Sequence, residues 1–206
     1  MRRRLVKKLR AKGITDEAVL EAIGRVPRHY FFDNALLEHA YEDKAFPIGE
    51  GQTISQPYTV AFQSEKLNLK KGDKVLEVGT GSGYQACVLL EMGAKVYTIE
   101  YNKVLYERTR LFLPKIGYQP HFSHGDGSKG LPLHAPYDKI IVTAGAPSVP
   151  DSLIKQLNPG GILIIPVGNN KKQIMVRITR IDEKKLKKES FDYFSFVPLK
   201  GDEGWG

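Results

Sequence analysis

Apolar positions along the chain follow two regimes. In the first seventy residues they recur at helical intervals: Val19, Ile23 and Val26 lie three or four apart behind Thr15. That spacing puts them on one face of a helix, with Thr15 as its N-cap and Ala18 three residues on. Pro27 ends the helix, because it lacks an N–H and restricts the residue before it. The stretch from Pro47 to Pro57 is rich in turn residues and reads as an ordered loop. A helix is expected from Tyr58, with Val60, Ala61, Ser64 and Leu67 on one side.

From Gly72 the pattern becomes short apolar runs alternating with longer amphipathic ones. Strands are expected at 74–78, 95–100, 120–124, 139–143 and 161–167, and helices at 84–92, 103–116 and 150–157. Strand–helix alternation with strands apolar on both faces indicates a parallel sheet covered by helices on both sides. Two strand-like runs without a long helix, 173–181 and 186–198, close the chain. The expected fold is α/β: a doubly wound, mostly parallel sheet with helices on both faces, an N-terminal helical extension and a C-terminal antiparallel strand pair. It is read as one domain over residues 1–206. Within it, 1–70 form a helical and loop region, 71–168 the alternating strand–helix core and 169–206 the final strands.

Composition narrows the class without changing the fold. With 41% hydrophobic and 26% charged residues among 206, the chain is globular rather than collagen-like, low-complexity or a disulfide scaffold. Its lone Cys87 has no partner within the chain and reads as a small core residue in a reducing compartment. Aliphatic runs such as Ile162 to Ile165 fall far short of the roughly 20 residues of a membrane helix. Lys7, Lys8 and Arg10 occupy the place where a secretory signal would turn apolar. A cytoplasmic monomer is expected.

The net charge of +8 invites a nucleic-acid reading, but it is local. Residues 1–12 hold seven of the 31 Lys and Arg and no acid, leaving 24 basic against 23 acidic residues elsewhere. Small basic clusters remain at Lys171–Lys172 and over 184–188. Such a run reads as a solvated segment or helix face; a nucleic-acid surface would need a basic face beside the active cleft.

The chemistry gathers after the first core strand, where Val78 opens into Gly79-Thr80-Gly81-Ser82-Gly83. Glycines there allow positive φ and close approach of a ligand to the backbone. In open α/β sheets the ligand crevice lies at the carboxyl ends of the strands, where this turn sits. A dinucleotide fingerprint would place glycine at position 84, which is Tyr84. This spacing favours S-adenosylmethionine over NAD. Glu100, 21 positions after Gly79, suits a pair of ribose hydroxyls and would repel the 2′-phosphate of NADP. In Gly125-Asp126-Gly127, Asp126 could accept from an adenine amine with Gly127 allowing close approach; an ordinary Asp-Gly turn reads equally well. His121 and His124 are expected at the sheet edge, and no metal site is expected.

Residues 75–84, Val-Leu-Glu-Val-Gly-Thr-Gly-Ser-Gly-Tyr, resemble the first motif of Rossmann-like, class I S-adenosylmethionine-dependent methyltransferases. Further segments narrow the resemblance to the protein-L-isoaspartate (D-aspartate) O-methyltransferase family. These are Val26-Pro27-Arg28, and Ala40-Tyr41-Glu42-Asp43 leading to Pro47-Ile48-Gly49-Glu50-Gly51-Gln52-Thr53-Ile54-Ser55-Gln56-Pro57. Leu157-Asn158-Pro159-Gly160-Gly161 with Pro166-Val167-Gly168, and Phe196-Val197-Pro198-Leu199 with Gly204-Trp205, complete the set. The similarity runs in family order over about residues 19–206. His29 and Phe46 depart from the Glu and Leu of the family pattern, and the first dozen residues match nothing in it.

The resemblance implies methylation of the free carboxylate of isoaspartyl residues in aged proteins, and thus repair through a succinimide, with isoaspartyl proteins and peptides as partners and neither membrane nor nucleic acid. Ser55 takes the catalytic position. Thr53, Ile54, Ser55, Gln56, Glu77, Gly79, Thr80, Gly81, Ser82, Gly83, Glu100, Asp126 and Gly127 are expected to hold the cofactor S-adenosylmethionine. Thr53, Ser55 and Gln56, with Val197, Pro198 and Leu199, face the substrate. No His–Asp pattern surrounds Ser55, so its hydroxyl is read as orienting a carboxylate rather than as a nucleophile.

Two rivals stay open at this point. A base-modifying nucleic-acid methyltransferase would carry an Asn/Asp-Pro-Pro-aromatic loop after the fourth strand, where this chain has Thr143-Ala144-Gly145-Ala146-Pro147. A non-enzymatic nucleic-acid-binding module would bind through residues 1–12 in a salt-dependent way.

Overall fold

The computed structural model describes residues 1–205. The arginine-rich start is no loose tail: it forms α1 (Arg2–Ala11), which buries Leu5 and Leu9 against the next helices. Several of its cations are held within the chain. Arg2 donates to the carbonyls of Gly24 and Arg25 at the end of α2 (Glu17–Arg25), Arg10 pairs with Glu17, and Lys12 reaches Asp43. Asp16, not Thr15, caps α2: its carboxylate accepts from the N–H groups of Ala18 and Val19, as a cap should. Thr15 is diverted, its N–H and hydroxyl both donating to Glu65. Val26, at φ −62° and ψ 122°, leaves the helix just before Pro27, as expected.

The segment expected as a loop contains a small hairpin, β1 (Phe46–Gly49) and β2 (Gln52–Ile54). Glu50 and Gly51, both at positive φ, make the turn, and that twist matches paired strands. Next, α3 (Pro57–Leu67) buries Val60, Ala61, Ser64 and Leu67 as expected, and also Thr59, Phe62 and Gln63. It is wrapped on more than one side because a C-terminal strand closes over it: Phe62 packs on Phe191 and Phe194.

The main sheet comprises β3 (Lys74–Val78), β4 (Lys95–Glu100), β5 (His121–His124), β6 (Tyr137–Val142), β7 (Leu157–Gly168), β8 (Gln173–Arg180) and β9 (Leu186–Phe194). Its spatial order is β5-β4-β3-β6-β7-β8-β9, parallel as far as β7 and antiparallel beyond. The helices α4 (Tyr84–Glu91), α5 (Lys103–Phe112) and α6 (Asp151–Lys155) connect the parallel strands. Residues 113–116, expected as the end of α5, tighten into a separate 3₁₀ turn, and α6 is shorter than 150–157. The strand expected at 161–167 starts earlier, at Leu157, and β9 stops at Phe194 rather than 198.

Strand alternation sorts the core onto two faces. Val75, Ile141, Ile162 and Ile164 point toward α1–α4, while Leu76, Val78, Ile140, Val142, Leu163 and Ile165 join Leu153 of α6 on the other face. Chain order reverses between β3 and β6. This is the switch point at which doubly wound sheets form their ligand crevice.

Candidate active site

Above that switch point lies a cavity of about 200 Å³. It is floored by the turn after β3, by Glu100 at the end of β4, and by Thr143 and Ala144 after β6. Gly79, Gly81 and Gly83 all have positive φ, the conformation for which glycine is suited. At Gly79 a Cβ would also lie 2.5 Å from Thr143 Oγ1, a contact no substitution tolerates without displacement. That hydroxyl donates to the carbonyls of Val78 and Gly79, at 3.0 and 2.6 Å, and ties the two central strands together under the site.

Glu100 is buried yet lines the cavity. One carboxylate oxygen accepts the Gly81 N–H at 2.8 Å and the other the Asn102 N–H at 2.9 Å. Each oxygen keeps a second lone-pair position, so the group can still accept from two neighbouring hydroxyls. Beside it, Val78, Ile99 and Gly127 form an apolar shelf. A Cβ on Gly127 would come within 2.6 Å of Val78, so glycine keeps this shelf open to a flat ring.

Glu77 is one of the expected cofactor residues that the structure places off the lining. It is fully buried below the turn, outside the cavity lining, and accepts from Thr98 Oγ1 at 2.6 Å. Thr98 in turn contacts the Thr80 hydroxyl at 2.6 Å. Burial pushes the Glu77 carboxyl up to about 8; the Thr98 hydrogen bond opposes the shift and the charge of Glu100 adds to it. Glu77 therefore braces β3 against β4 as a largely neutral acid.

Ser55 lies at the other wall, after β2, where it lines this cavity and a second one of about 520 Å³. Among the described residues its hydroxyl has no hydrogen-bond partner, whereas its carbonyl accepts from Arg28 Nη2 at 2.9 Å. Thr53, Thr143 and Val197 also face both cavities, so the two spaces meet at Ser55.

The structure thus gathers Thr53, Ser55, Gly79, Thr80, Gly81, Ser82, Glu100 and Gly127 around the first cavity, joined by Val197, Pro198 and Leu199. Gln56 lines the second cavity and donates to the Asp43 carbonyl. Ile54 is core, and Gly83 packs against Thr109 and Leu113 as the N-cap of α4. Asp126 also lies off the lining. Its oxygens accept from Ser128 N and Oγ and from the Asp202 N–H, which pins the C-terminal segment. Cys87 is buried, and desolvation raises its thiol pKa far above the usual range. The imidazoles of His121 and His124 lie on edge strand β5, against Tyr97 and Tyr106.

Sequence reading missed Gln52, Gln85, Asn102, Thr143 and Lys200 on the lining, and Arg28 behind it. Thr143 was recoverable, since it ends the strand adjacent to β3 at the switch point. Arg28 and Gln52 lie in segments that carry the family resemblance, though neither was assigned a role from it. Gln85, Asn102 and Lys200 had no local signal.

A glycine turn after the first core strand, a carboxylate ending the second, and an apolar shelf between them define a doubly wound α/β cofactor site. The comparisons carry this further. The family profile described as protein-L-isoaspartate (D-aspartate) O-methyltransferase matches residues 1–204, including the segment the motif resemblance had left out. A protein-L-isoaspartate O-methyltransferase of Cytophaga hutchinsonii is 60% identical over 205 residues, covering 100% of this chain and 93% of its own length. One from Christiangramia forsetii is also 60% identical, covering 98% and 95%. A solved structure described as a protein-L-isoaspartate O-methyltransferase superposes with a TM-score of 0.89 at 30% identity, covering 99% of this chain and 67% of its own. A Plasmodium falciparum structure described as a β-aspartate methyltransferase in complex with S-adenosyl-L-homocysteine gives 0.79 at 26% identity, covering 95% and 96%. The chain belongs to the protein-L-isoaspartate (D-aspartate) O-methyltransferase family.

Proposed function

We propose that the protein uses S-adenosylmethionine to methylate the free carboxylate of isoaspartyl residues in damaged proteins, the activity its relatives are named for. The observation that carries this reading is the junction at Ser55, where a cavity suited to an adenosine-bearing group opens into one large enough for peptide. When bound, S-adenosylmethionine supplies a methyl group made electrophilic by its sulfonium. Glu100 would hold the ribose hydroxyls, the Val78–Ile99–Gly127 shelf the adenine, and the glycine turn the remainder of the donor.

A carboxylate of pKa near 4 is already ionised at neutral pH, so the site has no proton to remove from its nucleophile. Accordingly, no histidine or cysteine is found among the described lining residues of the first cavity. The task left to the chain is orientation and exclusion of water. The unpartnered Ser55 hydroxyl can donate to one carboxylate oxygen without neutralising it, beside the hydroxyl of Thr53. The backbone nitrogen of the following residue attacks the methyl ester and expels methanol, closing a succinimide whose hydrolysis returns part of the material to normal aspartyl linkage.

We further infer a reducing, cytoplasmic setting from the single cysteine, which is buried and unbridged. No helix among the described residues is long and apolar enough to cross a membrane. The test is incubation with methyl-labelled S-adenosylmethionine and a matched pair of aspartyl and isoaspartyl peptides, scored for volatile methanol on raising the pH. Label entering only the isoaspartyl peptide as a base-labile ester supports the reading; stable label in RNA, or none in either peptide, refutes it.

A further inference from the structure

The second cavity has a feature the reaction itself does not require. Lys171 and Lys172 stand exposed on its rim, and among the described residues its lining has no Asp or Glu. Neither lysine forms an ion pair with a described residue; Lys172 instead rests its ammonium 4.1 Å from the centre of the Tyr193 ring, which also lines the cavity. The other acids nearby are engaged or lie off the lining. Asp43 is buried, pairs with Lys12 and accepts the Tyr58 N–H, and Asp192 lies on β9 outside the lining.

The turn that presents the lysines is fixed. Asn169 Oδ1 accepts the N–H groups of both Lys171 and Lys172 at 2.9 Å. Gln173, 1% exposed, donates to the Asn169 carbonyl and accepts the Phe196 N–H at 2.8 Å. The same side chain fills the space where a Cβ on Gly145 would stand. One buried amide thus couples the lysine turn to the segment that borders Ser55.

We propose that this second cavity receives the chain flanking the isoaspartyl residue, and that Lys171 and Lys172 make the protein prefer substrates with an acidic side chain beside the damaged residue. The inference rests on the proposed activity and adds a substrate class to it. With the target carboxylate held at Ser55, a neighbouring acid would extend toward Lys171 and Lys172, the only cations lining this cavity among the described residues. Two exposed pairs of this kind together amount to about fivefold at low ionic strength, and salt weakens them.

The experiment compares isoaspartyl hexapeptides that differ only in carrying Glu, Gln or Lys on both sides of the damaged residue. They are assayed with the intact chain and with the Lys171→Ser/Lys172→Ser double variant. The expected kcat/KM order is Glu, then Gln, then Lys, with about fivefold between the first two at low salt, expressed in KM. In the double variant, and in 0.5 M salt, the Glu-to-Gln ratio falls to within about twofold. Equal kcat/KM for the three peptides in the unmodified protein, or an undiminished preference in the double variant, overturns the inference while leaving the activity intact. Failure to methylate any of the three overturns the activity, and the inference with it.

Discussion

The buried guanidinium of Arg28 holds the backbone of Ser55: Nη2 donates to the Ser55 carbonyl at 2.9 Å, and the group lies 4.4 Å from the centre of the Tyr84 ring. Tyr84 opens the helix after the glycine turn. One cation thus sets the Ser55 loop against the helix that follows the glycine turn. It does so at a cost, since Nε and Nη1 are buried without hydrogen-bond partners among the described residues. Replacing Arg28 by Met removes that desolvation along with the anchor, so stability should change by no more than about 1 kcal/mol while kcat falls at least about tenfold. Thermal melts and isoaspartyl-peptide kinetics on Arg28→Met check this. An unfolded variant, or a folded one with full kcat, would contradict it.

Ser55→Ala removes a hydroxyl that has no structural partner among the described residues. Turnover should drop by roughly 10- to 100-fold, the worth of one hydrogen bond to a charged group, with melting temperature and affinity for S-adenosylhomocysteine preserved. Unchanged turnover would remove Ser55 from the mechanism.

Glu77 makes stability depend on pH in a defined direction. Its carboxyl keeps its proton up to about 8 in the folded protein, against 4.5 when free, so between these values the folded state binds a proton that the unfolded chain has released. The stabilisation is complete below the lower value and declines across the window, by at most about 1.4 kcal/mol per pH unit. Glu77→Gln carries no titrating group, so its melting temperature should fall less steeply than that of the unmodified protein between pH 5 and 8. Parallel profiles would show that the buried acid is ionised.

Legibility in the sequence followed the locality of the cause. The strands at 74–78 and 95–100 were readable to the residue because each is a buried run closed by a turn or a charge. The positions of the glycine turn and Glu100 were readable because they stand at the ends of adjacent strands beside the switch point. The hairpin at 46–54 was not: its two strands are four and three residues long, and the turn residues between them dominate the composition. The Asp16 cap was hidden by Thr15, whose diversion depends on Glu65, fifty positions away. Residues 1–12 were read by charge alone, whereas Leu5 and Leu9 decide their packing. Arg28, Gln173 and the second cavity depend on segments distant in the chain, and no spacing rule anticipates them.

The central claim is that the methyl donor lies across the Gly79–Gly83 turn with its ribose on Glu100. Calorimetric titration with S-adenosylmethionine and with S-adenosylhomocysteine tests it most directly, using the intact chain and Glu100→Gln. One site per chain is expected, weakened at least about tenfold in the variant as a charged acceptor is lost. A folded protein that gives no binding heat with either compound, or a Glu100→Gln chain that binds as tightly as the original, would contradict it.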